Sequence, residues 1–178
     1  MADAAQPPHL LVSVTEIRRH LGSRAPVTRQ LESHGLELAL TEVGVPDGAS
    51  IELTGELESI SEGVVLTGSV AVPWVGACRR CLQEVSGTAT IDVREVWEVH
   101  PTEGDTWPLV NDQIDVGPLL HDTALLALPL APLCREDCAG PAPERFPALA
   151  ADDEVDDDAG AGSAGRDPRW AGLDDLQL

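Results

Sequence analysis

The chain has 178 residues and a formal charge of −20, from 31 acidic residues against 11 arginines and no lysine. That length holds one ordinary domain with tails, and that charge disfavours nucleic-acid binding through a broad basic face, because bulk phosphate repels it. One Phe, no Tyr and four Trp leave the core to Val, Leu, Ala and Ile and exclude a large aromatic stacking surface.

Residues 1–9 read as a disordered lead-in to a single α+β domain over 10–147. No apolar run approaches the length of a membrane span, and MADAAQPPHL lacks a basic segment followed by an apolar block. A cytoplasmic protein is expected, with no membrane partner. In SVTEIRRHLG, Ser13 and Glu16 stand at capping-box spacing and Gly22 offers a stop, which predicts a short N-terminal helix. From Arg18 to Arg29 the sequence RRHLGSRAPVTR carries four arginines and no acid, continuing from helix into a Gly22, Ser23 and Pro26 loop. Arg18, Arg19, Arg24 and Arg29 are therefore the RNA-binding candidates. The plainer alternative is a solvated helix face and loop.

The middle of the chain has a period of two. LELALTEV from Leu36 reads as a strand closed by the GVPDGAS turn. In IELTGELESI, Ile51, Leu53 and Leu57 share one face while Glu52, Glu56 and Glu58 take the other. After the SEG turn, Val64, Leu66, Val70 and Val72 align likewise, so the two runs form a hairpin. TATIDVREVWEVH then places Ile91, Val93, Trp97 and Val99 on one longer strand. The simplest assembly is an antiparallel β-sheet, open or closed into a barrel.

In IDVGPLLHDTALLALPLAP the pattern turns helical. Pro118 suits a first turn, Leu119, Leu120, Ala124, Leu125 and Leu128 fall mainly at helical spacings, and Pro129 stops the run. This longer helix should cover one face of the sheet. Beyond it, 148–165 is an acidic, Gly/Ala-rich linker with little to bury, expected to be disordered. Trp170, Leu173 and Leu176 then recur at helical spacing over 166–178, a short C-terminal helix able to dock on the parent domain or on a partner.

Four cysteines carry the chemistry. Cys78 and Cys81 form C-x-x-C, and Cys134 and Cys138 form C-x-x-x-C, with 52 residues between the pairs. Two short loops with two thiolates each can complete the tetrahedron that zinc requires, and a closed set of four would be structural, with no position left for a reacting water. A thiol oxidoreductase using Cys78 and Cys81 is the second reading, although thioredoxin-type chemistry wants the motif at a helix N-terminus and here it runs into a strand. Four free thiols, some packed as small apolar groups, are the third. The choice reduces to whether the two pairs meet in space.

In order along the chain, RRHLGS, LELALTEVGVPDGASIELTGELESISEGVVLTGSV, CRRCLQEV, IDVGPLLHDTALLALPLAPLCREDCAG and DPRWAGLDDL resemble the YceD family, the large ribosomal RNA subunit accumulation proteins, in the form found in high-GC Gram-positive bacteria. The resemblance runs from about residue 11 to the end. It implies a cytoplasmic, non-enzymatic factor for accumulation or processing of large-subunit ribosomal RNA and assembly of the large ribosomal subunit. Its partners would be a precursor particle, through ribosomal RNA or a basic ribosomal protein, with no small-molecule substrate and no catalytic residue. In similar proteins the second pair extends as C-x-x-x-C-x-x-x-C-x-x-C, whose third and fourth positions here are Ala142 and Arg145. A local knuckle is therefore closed to this chain, and any zinc must be shared with Cys78 and Cys81. A zinc-stabilised interaction module unrelated to ribosomes is the remaining alternative.

Overall fold

The computed structural model describes residues 8–145. Most of the lead-in, the acidic linker and the terminal segment with Trp170, Leu173 and Leu176 lie outside the described residues. The rest is a strongly curled mixed sheet, a half-barrel, with one helix packed against it.

The strands are β1 (Leu11–Ser13), β2 (Arg24–Glu32), β3 (Ala39–Leu40), β4 (Val43–Gly44), β5 (Ser50–Ser59), β6 (Gly63–Ala77), β7 (Glu84–Glu98), β8 (Trp107–Val110) and β9 (Gln113–Asp115), followed by helix α1 (Gly117–Ala127). Four long antiparallel strands, β2, β5, β6 and β7 in spatial order, make the body. Strand β8 joins β7 in parallel, β9 turns back on β8, and β1 closes that side by pairing with β9. The β3–β4 hairpin sits on β6 beyond the end of β5, with Val43 opposite Gly76.

The period of two decides which face is core. Ile51, Leu53, Leu57, Val64, Leu66, Val70, Val72 and Trp97 are all buried on the concave side, joined by Val27 and Leu31 from β2. Helix α1 adds Leu119, Leu120 and Ala124, with Leu128 just past its end. Pro118 lies in its first turn and the helix ends at Ala127, two residues before Pro129, as its spacing predicts. On β7 the pattern holds at Val93 and Trp97 but not at Val99, which lies past the strand end and is exposed.

Curling requires the middle of the sheet to be thin. Val27, Gly55, Gly68 and Val93 form one inward row across the four long strands. A Cβ on Gly55 would stand 2.6 Å from the Thr67 carbonyl oxygen, and one on Gly68 would stand 2.6 Å from the Gly55 Cα. The glycine pair lets β5 and β6 approach where any side chain would wedge them apart.

The sequence expectation of an N-terminal helix is corrected. Ser13 belongs to β1, and only a 3₁₀ turn, Ile17–Arg19, follows, with no side-chain cap bond from Glu16. The reason is tertiary: Val12 and Val14 are buried and Leu11 and Ser13 are exposed, so pairing of Val12 with Ile114 outweighs a cap worth about 1 kcal/mol. The basic stretch is likewise not helix and loop, since Arg24–Glu32 is a full strand against β5. The strand expected from Leu36 is broken into β3 and β4 by a turn at Thr41, whose φ is 42°. The β8–β9 hairpin, unanticipated, turns on Asn111 and Asp112, both at positive φ, the geometry of a two-residue primed turn.

Asp115 ties this corner together. Its Oδ1 accepts from the backbone N–H of Leu10 (2.9 Å) and of Gly117 (3.0 Å), while Oδ2 pairs with the His9 ring. Burial alone would raise its pKa, but the His9 bond, then the Gly117 and Leu10 N–H groups, hold the carboxyl below its ordinary value.

Two outcomes are expected from this framework. Gly68→Ala should destabilise by about 1–3 kcal/mol, read as a lower urea midpoint at unchanged slope. Because the folded-state pKa of Asp115 is lowered, its contribution is present above the unfolded value of about 3.9 and is lost as pH falls from there through the folded value. Asp115→Asn should therefore lower stability at pH 7 and flatten the acid limb below about pH 4 in a series of urea titrations.

A candidate metal centre at the end of the long hairpin

Strands β6 and β7 pair along their full length, from Gly63 opposite Glu98 to Ala77 opposite Glu84. The turn that closes this ladder is Cys78-Arg79-Arg80-Cys81-Leu82-Gln83, so the C-x-x-C motif projects from the tip of the hairpin. Two backbone bonds shape it: Cys78 N–H donates to the Gln83 carbonyl (2.8 Å) and Leu82 N–H donates to the Cys78 carbonyl (2.8 Å). Leu82 takes a φ of 63°, an unusual conformation for a Leu, which turns the chain sharply after Cys81.

The second pair arrives from the end of α1. Arg79 N–H donates to the Pro132 carbonyl (2.9 Å), which stitches the post-helix segment to the turn two residues before Cys134. Arg80 holds the far side: its guanidinium donates to the carbonyls of Glu136 (3.1 Å) and Cys138 (2.8 Å). The loop closes locally through Cys138 N–H to the Arg135 carbonyl (3.2 Å). Neither Arg79 nor Arg80 is singled out by sequence spacing, because the bonds that matter run to carbonyls more than fifty residues away.

The two pairs meet. Sγ of Cys78 lies 3.9 Å from that of Cys138, Sγ of Cys81 lies 3.7 Å from that of Cys134, and all four fall within 4.8 Å of one another. Those distances are far beyond the roughly 2.05 Å of a disulfide. They match a tetrahedron: metal–sulfur bonds of about 2.3 Å place ligand sulfurs about 3.8 Å apart. Cys78 and Cys138 are buried, Cys81 is half-buried and Cys134 is exposed, so the cluster sits at the surface with its inner side sealed.

Protons are unequally held in this cluster. Backbone N–H groups of Cys81 and then Cys134 aim at Cys78 and bring its pKa down to about 6, against the opposing effect of burial. Cys134 is pushed up to about 12, first by its hydrogen bond with Cys138, then by lost hydration and by the Cys81 and Cys78 thiols. Four thiolates cannot coexist here without a cation, and a bound divalent ion would offset half of their charge while coordinating all four. The hairpin-tip setting also bears on redox chemistry, since C-x-x-C here does not stand at the helix N-terminus that thioredoxin-type chemistry uses.

The four arginines of the basic stretch occupy two elements and are largely matched by acids. Arg18, in the 3₁₀ turn, pairs with Asp112; Arg19 pairs with Glu16 (3.1 Å); Arg24, on β2, pairs with Glu56 (3.2 Å) and Glu58 (2.9 Å). Arg29 donates to the Thr28 carbonyl and has no carboxylate partner among the described residues. His121 borders Asp122 on α1, away from the cysteines.

A curled sheet whose longest hairpin ends in a four-thiol centre thus defines the class: a small half-barrel with a surface cysteine cluster built from two distant segments. The chain belongs to the YceD family, whose profile, described as large ribosomal RNA subunit accumulation protein YceD, matches residues 66–177. It is 35% identical over 146 residues to the uncharacterized protein Rv2926c of Mycobacterium tuberculosis, covering 78% of this chain and 66% of the relative. It is 32% identical over 149 residues to the uncharacterized protein ML1660 of Mycobacterium leprae, covering 80% of this chain and 64% of the relative. The matched stretch therefore spans just under two thirds of these relatives' length. No solved structure matches the chain. Among the described residues no helix is long and apolar enough to cross a membrane.

Cobalt(II), an optical stand-in for a tetrahedral thiolate site, is expected to bind at one equivalent with intense sulfur-to-metal absorption. Cys81→Ser or Cys134→Ser should weaken it by at least ~100-fold, more than losing a hydrogen bond to a ligand costs. Binding releases the thiol protons, so affinity should fall steadily as pH is lowered.

Proposed function

We propose that this protein is a cytoplasmic factor in the accumulation or processing of large-subunit ribosomal RNA and in assembly of the large ribosomal subunit, acting by binding and not by catalysis. The observation that carries this reading is membership in the YceD family over residues 66–177. The geometry supports a binding role: the densest cluster of reactive side chains among the described residues is a closed donor set, suited to holding structure together.

Zinc is the ion best suited to the centre. Cys78, Cys81, Cys134 and Cys138 would hold it, and its contribution there would be a structural cross-link between the hairpin tip and the segment after α1. In small zinc peptides such a site contributes roughly 10–16 kcal/mol at pH 7, which would decide whether residues 132–145 stay in place. Ala142 and Arg145, standing where similar proteins carry two further cysteines, are then unnecessary, because Cys78 and Cys81 supply the missing half.

An acidic body must still engage an RNA-rich target. A charge of −20 favours association with a basic ribosomal protein, through steering and complementarity, over direct contact with phosphate. RNA contact would fall to the Arg18 to Arg29 stretch, with Arg29 the least neutralised and Arg18, Arg19 and Arg24 able to exchange surface ion pairs worth about 0–1 kcal/mol each for phosphate.

The decisive experiment is co-sedimentation of the full chain with precursors of the large subunit. Enrichment in precursor over mature subunits is expected, together with accumulation of unprocessed large-subunit RNA when the protein is depleted. Sedimentation only at the top of the gradient, with RNA unchanged on depletion, would leave a zinc-stabilised interaction module unrelated to ribosomes.

A further inference from the structure

Beside the cysteine turn lies an open, mainly apolar groove of about 550 Å³, lined by Leu40, Val43, Leu82, Leu130 and Pro132, with Glu42 and Arg79 as its charged members. Leu130 is 89% exposed, Leu82 74% and Leu40 37%. Three leucines from three separate segments, strand β3, the cysteine turn and the post-helix segment, thus converge on solvent. Isolated exposed leucines need no explanation, but a converging set around a concavity marks a docking surface.

We propose that the occupant is this chain's own segment 166–178, which seats Trp170, Leu173 and Leu176 in the groove. That segment lies outside the described residues, and its sequence DPRWAGLDDLQL places the three apolar residues three apart, so a helix would present them as one stripe. The chain leaves the described region close by: Pro143 lines a small cleft with Cys81, Cys134 and Cys138, on the other side of the same turn. A coil of the length of 146–165, roughly 20 residues rich in Gly, Ala and Asp, would reach a root-mean-square span of about 25 Å. A tether of that length gives the segment an effective concentration in the millimolar range, so even weak apolar docking is populated.

The groove carries one charge of each sign, Glu42 and Arg79, and the cation is the one able to meet an acidic segment. Arg79, exposed at the rim, makes no ion pair among the described residues, and Asp174 and Asp175 lie in the segment beside Leu173 and Leu176. The family match also runs through both parts, the groove residues 77–82 and 129–132 and the segment to residue 177. The inference does not depend on the ribosomal reading.

A photo-crosslinking amino acid placed at Leu130, and separately at Leu82, in the full metal-loaded chain tests this. The expected product is an intramolecular crosslink at monomer mass whose peptide lies within 166–178, reduced at least tenfold by Trp170→Ala with Leu173→Ala. The same probe at Val110, exposed on the β8–β9 hairpin, should give none. Hydrogen exchange of 166–178 should accelerate at least tenfold in Leu82→Asp with Leu130→Asp, while exchange in β5 to β7 stays unchanged. Absence of the intramolecular product, a product only at dimer mass, capture only of an added partner, or exchange in 166–178 indifferent to the groove substitutions would each overturn the proposal.

Discussion

The antiparallel ladder between Gly63–Ala77 and Glu84–Glu98 is the interaction on which the rest of the structure depends. Its lower half supplies Val64, Leu66, Val70, Val72, Val93 and Trp97 to the core, and its upper half runs past the neighbouring strands to deliver the cysteine turn. Because side chains alternate strictly along a strand, one register serves both ends. A slip by one residue would expose the core of the half-barrel and displace Cys78 from Cys138 together. Core and site are thus coupled through the backbone hydrogen bonds of one ladder.

The cysteine centre shows how two poor halves make one good site. Cys78 and Cys81 are fixed by a tight turn that needs Leu82 in a conformation few leucines adopt, and Cys134 and Cys138 are placed by bonds from Arg79 and Arg80. Arg79 uses its backbone N–H and Arg80 its guanidinium, so the two residues between the cysteines clamp the second loop to the first. Without a cation the same proximity penalises further thiolates, and the neighbouring cysteines with lost hydration push the Cys134 thiol up. The preference for a divalent ion follows from the sulfur–sulfur distances and the all-thiol donor set.

Charge is organised locally in the same way. The sequence RRHLGSRAPVTR looks basic along the chain, yet folding sets Asp112 against Arg18 and both Glu56 and Glu58 against Arg24, while Arg19 pairs with its own neighbour Glu16, so three of the four arginines are matched. A run of one sign in sequence is seldom a patch of one sign in space when the rest of the chain is acidic, because antiparallel strands bring acids into register with it. Among the described residues Arg29 on β2, Arg79 and Arg80 at the cysteine turn and Arg94 on β7 make no ion pair, and these are the points open to an anionic partner.

The sequence by itself determined the parts of this protein governed by short-range periodicity. The inward faces of β5 and β6, the β5–β6 hairpin, and α1 from Pro118 to its end before Pro129 follow from alternation, helical spacing and proline sterics, which act within a few residues. It also determined the donor set, since only four cysteines exist. Tertiary structure decided the rest. Ser13 and Glu16 carry a helix signal that lost to burial of Val12 and Val14 in a strand pair with β9, a contact a hundred residues away. The strand from Leu36 broke because β4 needed to reach Gly76 on β6. Whether Cys78 and Cys81 meet Cys134 and Cys138 was a question of distance between segments separated by a helix and three strands, and no local preference encodes that distance. The ladder of β6 and β7 and the reach of the chain beyond α1 set it.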